Sequence, residues 1–279
     1  MRSDCSFVRA ANGLRFAYVE QGERDGPAVL LLHGYTDSHR SFDLLRPHLP
    51  ESWRVIALTQ RGHGKSDKPN AGYSVGDMAA DVDAFLDALG IERAVIVGHS
   101  MGAAVALQTA ADFPARVGGL ALIGGFASYQ DNANVEELAQ EVAKFNGKID
   151  PEFVLAFQES TIADMIPQSF LDVVVAESMR CPTHVWRAAL DGQLAAEPVA
   201  TARRCRAPAA LIRGDWDAFV PHGDQLALRD AMASARIFTV RSTGHSPQWE
   251  RPEEVAGVLR AFVGEIADAG ALLRSAVFS

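Results

Sequence analysis

Short apolar runs alternate with segments of helical periodicity along most of the chain. Five of these runs occupy residues 29–32, 55–58, 94–97, 120–123 and 209–212. A run that is apolar at every position is typical of a strand buried on both faces, as in a parallel sheet covered by helices. The repeated order of strand and helix therefore predicts an α/β fold, with a mostly parallel sheet flanked by helices.

The clearest predicted helix follows Tyr73. Its apolar positions recur at helical spacing and are Val75, Met78, Ala79, Val82, Phe85, Leu86 and Leu89. Ser74 and Asp77 have the spacing of a capping box, and Gly90 suits a left-handed C-terminal cap. A last helix is expected to begin at Pro252, because proline is favoured at the first helical position.

The N-terminal region has a different pattern. Residues 7–20 alternate apolar and polar positions on both sides of Asn12-Gly13. Two alternating segments joined by Asn-Gly are typical of a β-hairpin. We therefore expect an antiparallel pair of strands at one edge of the sheet.

The middle of the chain also departs from the alternation of strands and helices. Between residues 127 and 206 the strand pattern fades, and helix-forming sequence dominates, as at 135–145 and 173–179. We predict that residues 1–126 and 207–279 form the α/β core. Residues 127–206 are then a helical cap inserted over the sheet.

Length and charge narrow the class of partner. The chain has 279 residues, of which 48% are hydrophobic, so a large core can form. Its formal net charge of -9 disfavours a nucleic-acid partner, because such binding relies on clustered Lys and Arg. The sequence has no apolar run of membrane-spanning length and no secretory signal in its first residues. We therefore expect a cytoplasmic protein with a small-molecule substrate and no membrane partner; the oligomeric state stays open.

Cofactor motifs are missing from the sequence. Cys5, Cys181 and Cys205 lie far apart, without the spacing of a zinc or redox motif. A nucleotide-binding motif and a pattern of zinc ligands are also absent. We therefore expect neither a metal ion nor an organic cofactor.

A Gly-x-Ser-x-Gly motif connects a predicted strand to a predicted helix. Residues 94–97 lead into Gly98-His99-Ser100-Met101-Gly102, which opens an Ala-rich segment. A sharp strand-to-helix turn needs glycines for close backbone approach, and it lifts the serine hydroxyl off the sheet edge. We interpret Ser100 as a nucleophile; the alternative is an ordinary serine at a helix N-cap.

A serine nucleophile needs a base and an orienting acid. Among 8 histidines, His245 is favoured because it follows a predicted strand at 236–240 and precedes the last helix. The acid is expected in the loop after the strand at 209–212, which contains both Asp215 and Asp217. Asp217 lies further beyond the strand end and is better able to reach a histidine loop. Asp215 is assigned to the turn itself.

An oxyanion hole requires two N–H donors beside the nucleophile. One is predicted to be the backbone N–H of Met101, at the start of the helix after Ser100. The second is assigned to the Tyr35 N–H, because His33-Gly34-Tyr35-Thr36 directly follows the strand at 29–32. The alternative for this segment is a glycine-dependent loop without a catalytic function.

Five features together resemble the α/β-hydrolase superfamily over almost the whole chain. They are His33-Gly34, Arg61-Gly62-His63-Gly64-Lys65-Ser66, Gly98-His99-Ser100-Met101-Gly102, Gly214-x-x-Asp217 and Gly244-His245. The resemblance implies a sheet of eight strands with a helical cap after the sixth. It places Ser100, Asp217 and His245 at the triad positions. It also implies that Tyr35, Phe126 and Val220 approach the substrate.

These features predict a capped, esterase-like serine hydrolase that cleaves a small to medium carboxylic ester through an acyl-enzyme on Ser100. Related proteins reuse the same triad, so a lactonase or a carbon–carbon bond hydrolase is the alternative enzyme. Some members are hormone sensors, which makes a small-ligand receptor the non-enzymatic alternative. A serine at this position disfavours haloalkane dehalogenases and epoxide hydrolases, which by resemblance use aspartate there. The superfamily is too diverse for motifs to specify the substrate.

Overall fold

A mostly parallel sheet of eight strands forms the centre of the computed structural model, which describes residues 5–277 and the side chains of residues 5–268. The strands are β1 Ser6–Arg9, β2 Arg15–Gln21, β3 Ala28–Leu32, β4 Arg54–Leu58, β5 Ala94–His99, β6 Val117–Ile123, β7 Ala209–Gly214 and β8 Ala235–Val240. Their order across the sheet is β1-β2-β4-β3-β5-β6-β7-β8. The pairs β1–β2 and β2–β4 are antiparallel, and the remaining pairs are parallel. The predicted fold class is confirmed.

The hairpin predicted at the N-terminal edge is present. Ser6 pairs with Tyr18, and Arg9 pairs with Arg15. Between the two strands Gly13 adopts a φ of 84°, a left-handed conformation that glycine reaches without steric cost. The loop spans five residues, 10–14, and the Gly13 N–H donates to the Ala10 carbonyl, so Asn12-Gly13 lies within the turn but does not form it alone.

Helices cover both faces of the sheet and fill the segment between β6 and β7. They are α1 Val75–Ala88, α2 Met101–Asp112, α3 Ala133–Ala143, α4 Pro151–Ser160, α5 Gln168–Ser178, α6 Thr183–Leu194, α7 Pro198–Ala202, α8 His222–Ala231, α9 Pro247–Glu250 and α10 Pro252–Val277. Both hydrogen bonds of the capping box between Ser74 and Asp77 are present at the start of α1. Within residues 5–277, none of the helices has the length and apolar content needed to cross a bilayer.

Separate apolar clusters cover the two faces of the sheet. Along β3, Leu30 and Leu32 pack into the cluster shared with α1 and α2. Val29 and Leu31 point to the opposite face and pack into the cluster shared with α10. All four side chains are fully buried, and each such burial stabilises the fold by roughly 1.5–3 kcal/mol. Burial on both faces explains why the strand has no polar alternation.

Helices α3 to α7 form the insertion between the end of β6 and the start of β7. Phe170, Leu171 and Val174 of α5 form an apolar cluster with Trp249 of α9. The inserted helices therefore pack on the core close to the loop that carries His245. The cap boundaries drawn at residues 127 and 206 stay a prediction.

Candidate active site

Ser100 lies at a sharp turn between β5 and α2. Its backbone has a φ of 52° and a ψ of -114°, and a conformation of this kind costs a serine roughly 1–3 kcal/mol. A methyl group on Gly98 would lie 2.1 Å from the carbonyl oxygen of Gly102, and one on Gly102 would lie 2.2 Å from that of Leu32. The motif needs both glycines because the backbone segments approach too closely for any side chain.

His245 contacts both of the other predicted triad residues. Its Nε2 atom lies 2.9 Å from Ser100 Oγ, and its Nδ1 atom lies 2.9 Å from Asp217 Oδ2. A carboxylate only accepts hydrogen bonds, so we assign the imidazole proton to Nδ1. The Nε2 lone pair then faces the Ser100 hydroxyl and can accept its proton.

Asp217 is held in place by its own turn as well as by His245. Its Oδ1 atom accepts hydrogen bonds from the backbone N–H groups of Phe219 and Val220, both at 2.9 Å. Burial alone would raise the pKa of Asp217, but the His245 charge and the hydrogen bonds hold this pKa below its ordinary value. The carboxylate is therefore ionised at neutral pH.

Asp215, the alternative acid, lies elsewhere. Its side chain is exposed, and Oδ1 accepts a hydrogen bond from the Ser242 N–H at 2.6 Å. This contact ties the turn after β7 to the turn after β8. The structure thus brings Asp217 to the histidine and leaves Asp215 in a turn.

The two predicted oxyanion donors lie on neighbouring segments. Met101 is the first residue of α2, where a backbone N–H has no acceptor within the helix. Tyr35 follows β3, which pairs in parallel with β5 and aligns Leu32 with Gly98. The Tyr35 hydroxyl donates to the backbone carbonyl of Trp186 in α6. The Tyr35 hydroxyl is thus engaged in a hydrogen bond to the inserted helices. The oxyanion function of the two backbone N–H groups stays a prediction.

A narrow cavity, called here the inner cavity, opens beside Ser100. It offers about 40 Å³ in which the centre of a water molecule fits. One water needs about 10–15 Å³ by this measure, so the space suits a short chemical group. Tyr35 and Phe126 line the cavity, as the resemblance implies. Val220 is not among the described residues that line it; its side chain is fully buried and its N–H binds Asp217.

Asp37 also lines the inner cavity, although the sequence analysis assigned it no function. Its carboxyl group accepts hydrogen bonds from Ser41 Oγ at 3.1 Å and from Gln158 Nε2 of α4 at 3.2 Å. Burial raises the pKa of Asp37 to about 7, against the hydrogen bonds that favour the ionised form. No local pattern distinguishes this aspartate from a surface one, because its burial depends on the cap above it.

His99, inside the nucleophile motif, contributes a second polar atom to the wall. Its Nε2 lies 3.0 Å from the backbone carbonyl oxygen of His245, so this nitrogen carries the proton. Burial, together with the neighbouring His245 charge, lowers the pKa of His99 to about 3. The ring is therefore neutral, and Nδ1 is a buried acceptor without a partner among the described residues.

Glu250 joins the histidine loop to the cap. Its Oε1 atom accepts a hydrogen bond from the Gly244 N–H at 2.7 Å. Its Oε2 atom accepts from the N–H groups of Ala163 and Asp164, at 2.9 and 2.7 Å. The residue before His245 and the segment after α4 are thus held by one buried side chain.

The part of the chain that the structure describes contains no group of three or more His, Cys, Asp or Glu side chains placed to hold a metal ion. The expectation that the protein needs neither a metal nor an organic cofactor stays a prediction from the sequence.

The α/β-hydrolases have a strained turn that carries a nucleophilic serine, with a His–Asp pair beside it at the same edge of a mostly parallel sheet. The described geometry has these features. The sequence model of the alpha/beta hydrolase fold matches residues 27–252. The chain therefore belongs to the α/β-hydrolase fold family, which confirms the resemblance found from the motifs.

Individual relatives match parts of the chain. An uncharacterized protein from Mycobacterium bovis is 40% identical over 131 residues, which are 47% of this chain and 38% of the relative. A 2-(acetamidomethylene)succinate hydrolase from Mesorhizobium japonicum is 36% identical over 117 residues, which are 42% of each chain. The matched region thus spans less than half of either relative.

Solved structures resemble the chain along nearly its whole length. An esterase from Exiguobacterium antarcticum superposes with a TM-score of 0.83, covering 93% of this chain and 99% of that one. The two sequences are 21% identical, so this likeness shows the fold alone.

Proposed function

We propose that the protein hydrolyses small to medium carboxylic esters through an acyl-enzyme on Ser100. The observation that carries this proposal is the continuous hydrogen-bond chain from Ser100 through His245 to Asp217, with 2.9 Å at each step. This chain lies beside a largely apolar cavity that can hold a neutral substrate.

Acylation begins when Ser100 Oγ attacks the ester carbonyl carbon. His245 Nε2 takes the hydroxyl proton, and the ionised Asp217 stabilises the imidazolium that results. The N–H groups of Met101 and Tyr35 are proposed to bind the carbonyl oxygen as it becomes negative. His245 then donates its proton to the departing alkoxide, which leaves as the alcohol.

Deacylation repeats these steps with water as the nucleophile. His245 Nε2 removes a proton from the water as its oxygen attacks the acyl carbon, and the proton then goes to Ser100 Oγ as the ester bond breaks. Both half-reactions need neutral His245, so turnover should fall in acid. The narrow inner cavity favours a short acyl group.

Three expectations stay predictions from the sequence. They are a small-molecule substrate, the absence of nucleic-acid and membrane partners, and a cytoplasmic location. The lactonase, the carbon–carbon bond hydrolase and the ligand receptor are the alternatives that the experiments must separate from an esterase.

The test is a hydrolysis screen with esters of increasing acyl length, lactones and vinylogous diketones. We expect the highest kcat/KM for short-chain esters. Ser100→Ala should lower kcat by at least about 10⁴-fold, because removal of the nucleophile leaves only binding and oxyanion stabilisation. Preferential turnover of lactones or diketones would assign the protein to those alternatives. A single slow turnover with a ligand that stays attached would indicate a receptor.

A serine-directed phosphonate provides an independent readout of the nucleophile. Ser100→Ala should abolish covalent labelling while the circular dichroism spectrum is unchanged. Ser234→Ala is the matched control, because Ser234 is exposed and bonds only to the Ala207 carbonyl oxygen among the described residues. Full labelling of Ser100→Ala would overturn the proposal.

A further inference from the structure

A second and larger cavity, called here the outer cavity, lies between α3 and α4. It offers about 400 Å³, against about 40 Å³ in the inner cavity. Its walls come from α3, from α4 and from the turn at Ala218-Phe219. The triad residues do not line it, so it adds volume that the catalytic geometry does not require.

The two cavities share a wall of three side chains. Leu138 of α3, Phe157 of α4 and Phe219 line both of them. The Phe219 ring centroid lies 5.3 Å from that of His245, so this wall stands directly beside the catalytic base. Leu138 and Phe157 are partly buried, and the Phe157 ring packs edge-on against Tyr35 and Trp186. For a ligand attached at Ser100 to extend into the outer cavity, these wall side chains must change rotamer.

The acidic side chains that line the outer cavity carry negative charge, whereas Asp37 in the inner cavity has a pKa of about 7 and is partly protonated at neutral pH. In the described part of the chain, no Lys or Arg lines either one. Asp37 lines the inner cavity, and Glu137 and Glu141 line the outer one. Lys144 pairs with Glu141 at 2.5 Å, which leaves Glu137 as the main source of negative charge at the outer cavity. A carboxylate placed in the outer cavity would lose hydration and meet the charge of Glu137, while Lys144 is already paired with Glu141.

The polar atoms left free near Ser100 suit uncharged groups. His99 Nδ1 and the Tyr129 hydroxyl are both buried and lack a partner among the described residues. The first accepts a hydrogen bond, and the second can donate one. Together they match the hydroxyl, ether or carbonyl groups of a neutral ester.

We propose that the inner and outer cavities form one two-part site for uncharged esters, which discriminates against substrates that carry a carboxylate. This inference rests on the proposed esterase function and adds a substrate class to it. The inner cavity takes the short group next to the reacting carbonyl, and the outer cavity takes the longer part.

The first test compares esters that differ in one charge. p-Nitrophenyl butyrate is paired with the p-nitrophenyl hemiester of succinic acid, in which a carboxylate replaces the terminal methyl group. A second pair places the carboxylate on the nitrophenyl ring instead. The spontaneous release of nitrophenolate from each ester is measured without enzyme and subtracted, because the carboxylate of the hemiester attacks its own ester group and forms succinic anhydride. We then expect kcat/KM of the anionic member to be at least about tenfold lower.

The second test reverses the charge at the outer cavity. Glu137→Lys should raise the ratio of anionic to neutral kcat/KM by several-fold for at least one pair, and added salt should weaken this gain. Glu159→Lys is the matched control: it makes the same charge change at an exposed position of α4 outside the cavity lining, and it should leave the ratio unchanged.

The outcomes separate this inference from the proposed function. Equal kcat/KM for neutral and anionic esters, or equal effects of Glu137→Lys and Glu159→Lys, would overturn the two-part neutral site while leaving the esterase intact. Failure of every ester to react in a folded protein would instead overturn the esterase proposal. A several-fold gain confined to Glu137→Lys would support the inference.

Discussion

The loops that carry the proposed triad and the inserted helices position their side chains in different ways. Ser100, Asp217 and His245 follow β5, β7 and β8, whose hydrogen-bonded register sets where each loop begins. Leu138 and Phe157 reach the cavity from helix faces of the insertion, which are placed by apolar packing. Under the proposed function, the chemistry and the selection of substrate would therefore depend on separate parts of the chain.

Many polar contacts connect these two regions, such as those of Thr36 with Ser178 and of Ser246 with Thr161, and three of them involve side chains described above. Asp37 accepts a hydrogen bond from Gln158, the Tyr35 hydroxyl donates to the Trp186 carbonyl, and Glu250 holds the segment after α4. Substitutions at the triad and at these contacts can show how independent the two regions are.

The largest effect is expected at the orienting acid. Asp217→Asn should lower kcat by about 10⁴-fold, because an amide presents the wrong hydrogen-bonding group to His245 Nδ1. Asp215→Asn should have a much smaller effect, since Asp215 bonds to the Ser242 N–H and not to the histidine. Initial rates with a short-chain ester would test both variants. The reverse ranking in folded proteins would transfer the acid function to Asp215.

A smaller effect, on stability, is expected at the contact between Asp37 and the insertion. The pKa of Asp37 in the fold is about 7, raised from 3.8 mainly by burial. The native state therefore holds a proton that the unfolded chain has already lost between about pH 4 and 7, so this group contributes stability that decreases as pH rises through that window. Asp37→Asn should remove the penalty and stabilise the protein above pH 7 by at most about 4 kcal/mol.

Urea unfolding of the wild type and of Asp37→Asn at pH 5 and pH 8 would measure the gain in free energy of unfolding at each pH. The gain from Asp37→Asn should be larger at pH 8, and the exposed Asp25→Asn should show no such trend. An equal effect of Asp37→Asn at both pH values would show that Asp37 carries no pH-dependent cost of burial.

The smallest change in turnover is expected at Tyr35. Tyr35→Phe keeps the backbone N–H and removes only the hydrogen bond to Trp186, so kcat should stay within about tenfold of the wild type. The free energy of unfolding should fall by about 0.5–1.5 kcal/mol, because one buried hydrogen bond is lost while the Trp186 carbonyl keeps its acceptor role within α6. Tyr73→Phe is a matched control, since the Tyr73 hydroxyl bonds to the Pro69 carbonyl away from the cavity. A far larger loss of kcat in a folded Tyr35→Phe would give the phenol a part in the chemistry.

The sequence predicts the sheet and the turn around Ser100 well because both depend on local patterns. Buried strands are apolar at every position, and the turn around Ser100 needs Gly98 and Gly102 on steric grounds. Position beyond a strand end also favoured Asp217 over Asp215, and the structure places Asp217 at the histidine.

The inner cavity was predicted less completely. Tyr35 and Phe126 line it, whereas Val220 does not line it and donates its backbone N–H to Asp217. Asp37 and Gln158 were not assigned at all, although they meet at the cavity wall. The local sequence around a loop aspartate or a helical glutamine does not indicate that the side chain is buried.

The sequence by itself determined the α/β class, the strained turn at Ser100 and a short set of candidates for base and acid. These follow from backbone sterics and from the period of apolar positions, which act over a few residues. Only the tertiary structure decided that Ser100 and His245, 145 positions apart, lie within hydrogen-bonding distance. It also decided the shape and charge of the two cavities, because these depend on how the faces of α3 and α4 pack over the sheet. Packing between distant parts of the chain leaves no signature in a local sequence pattern.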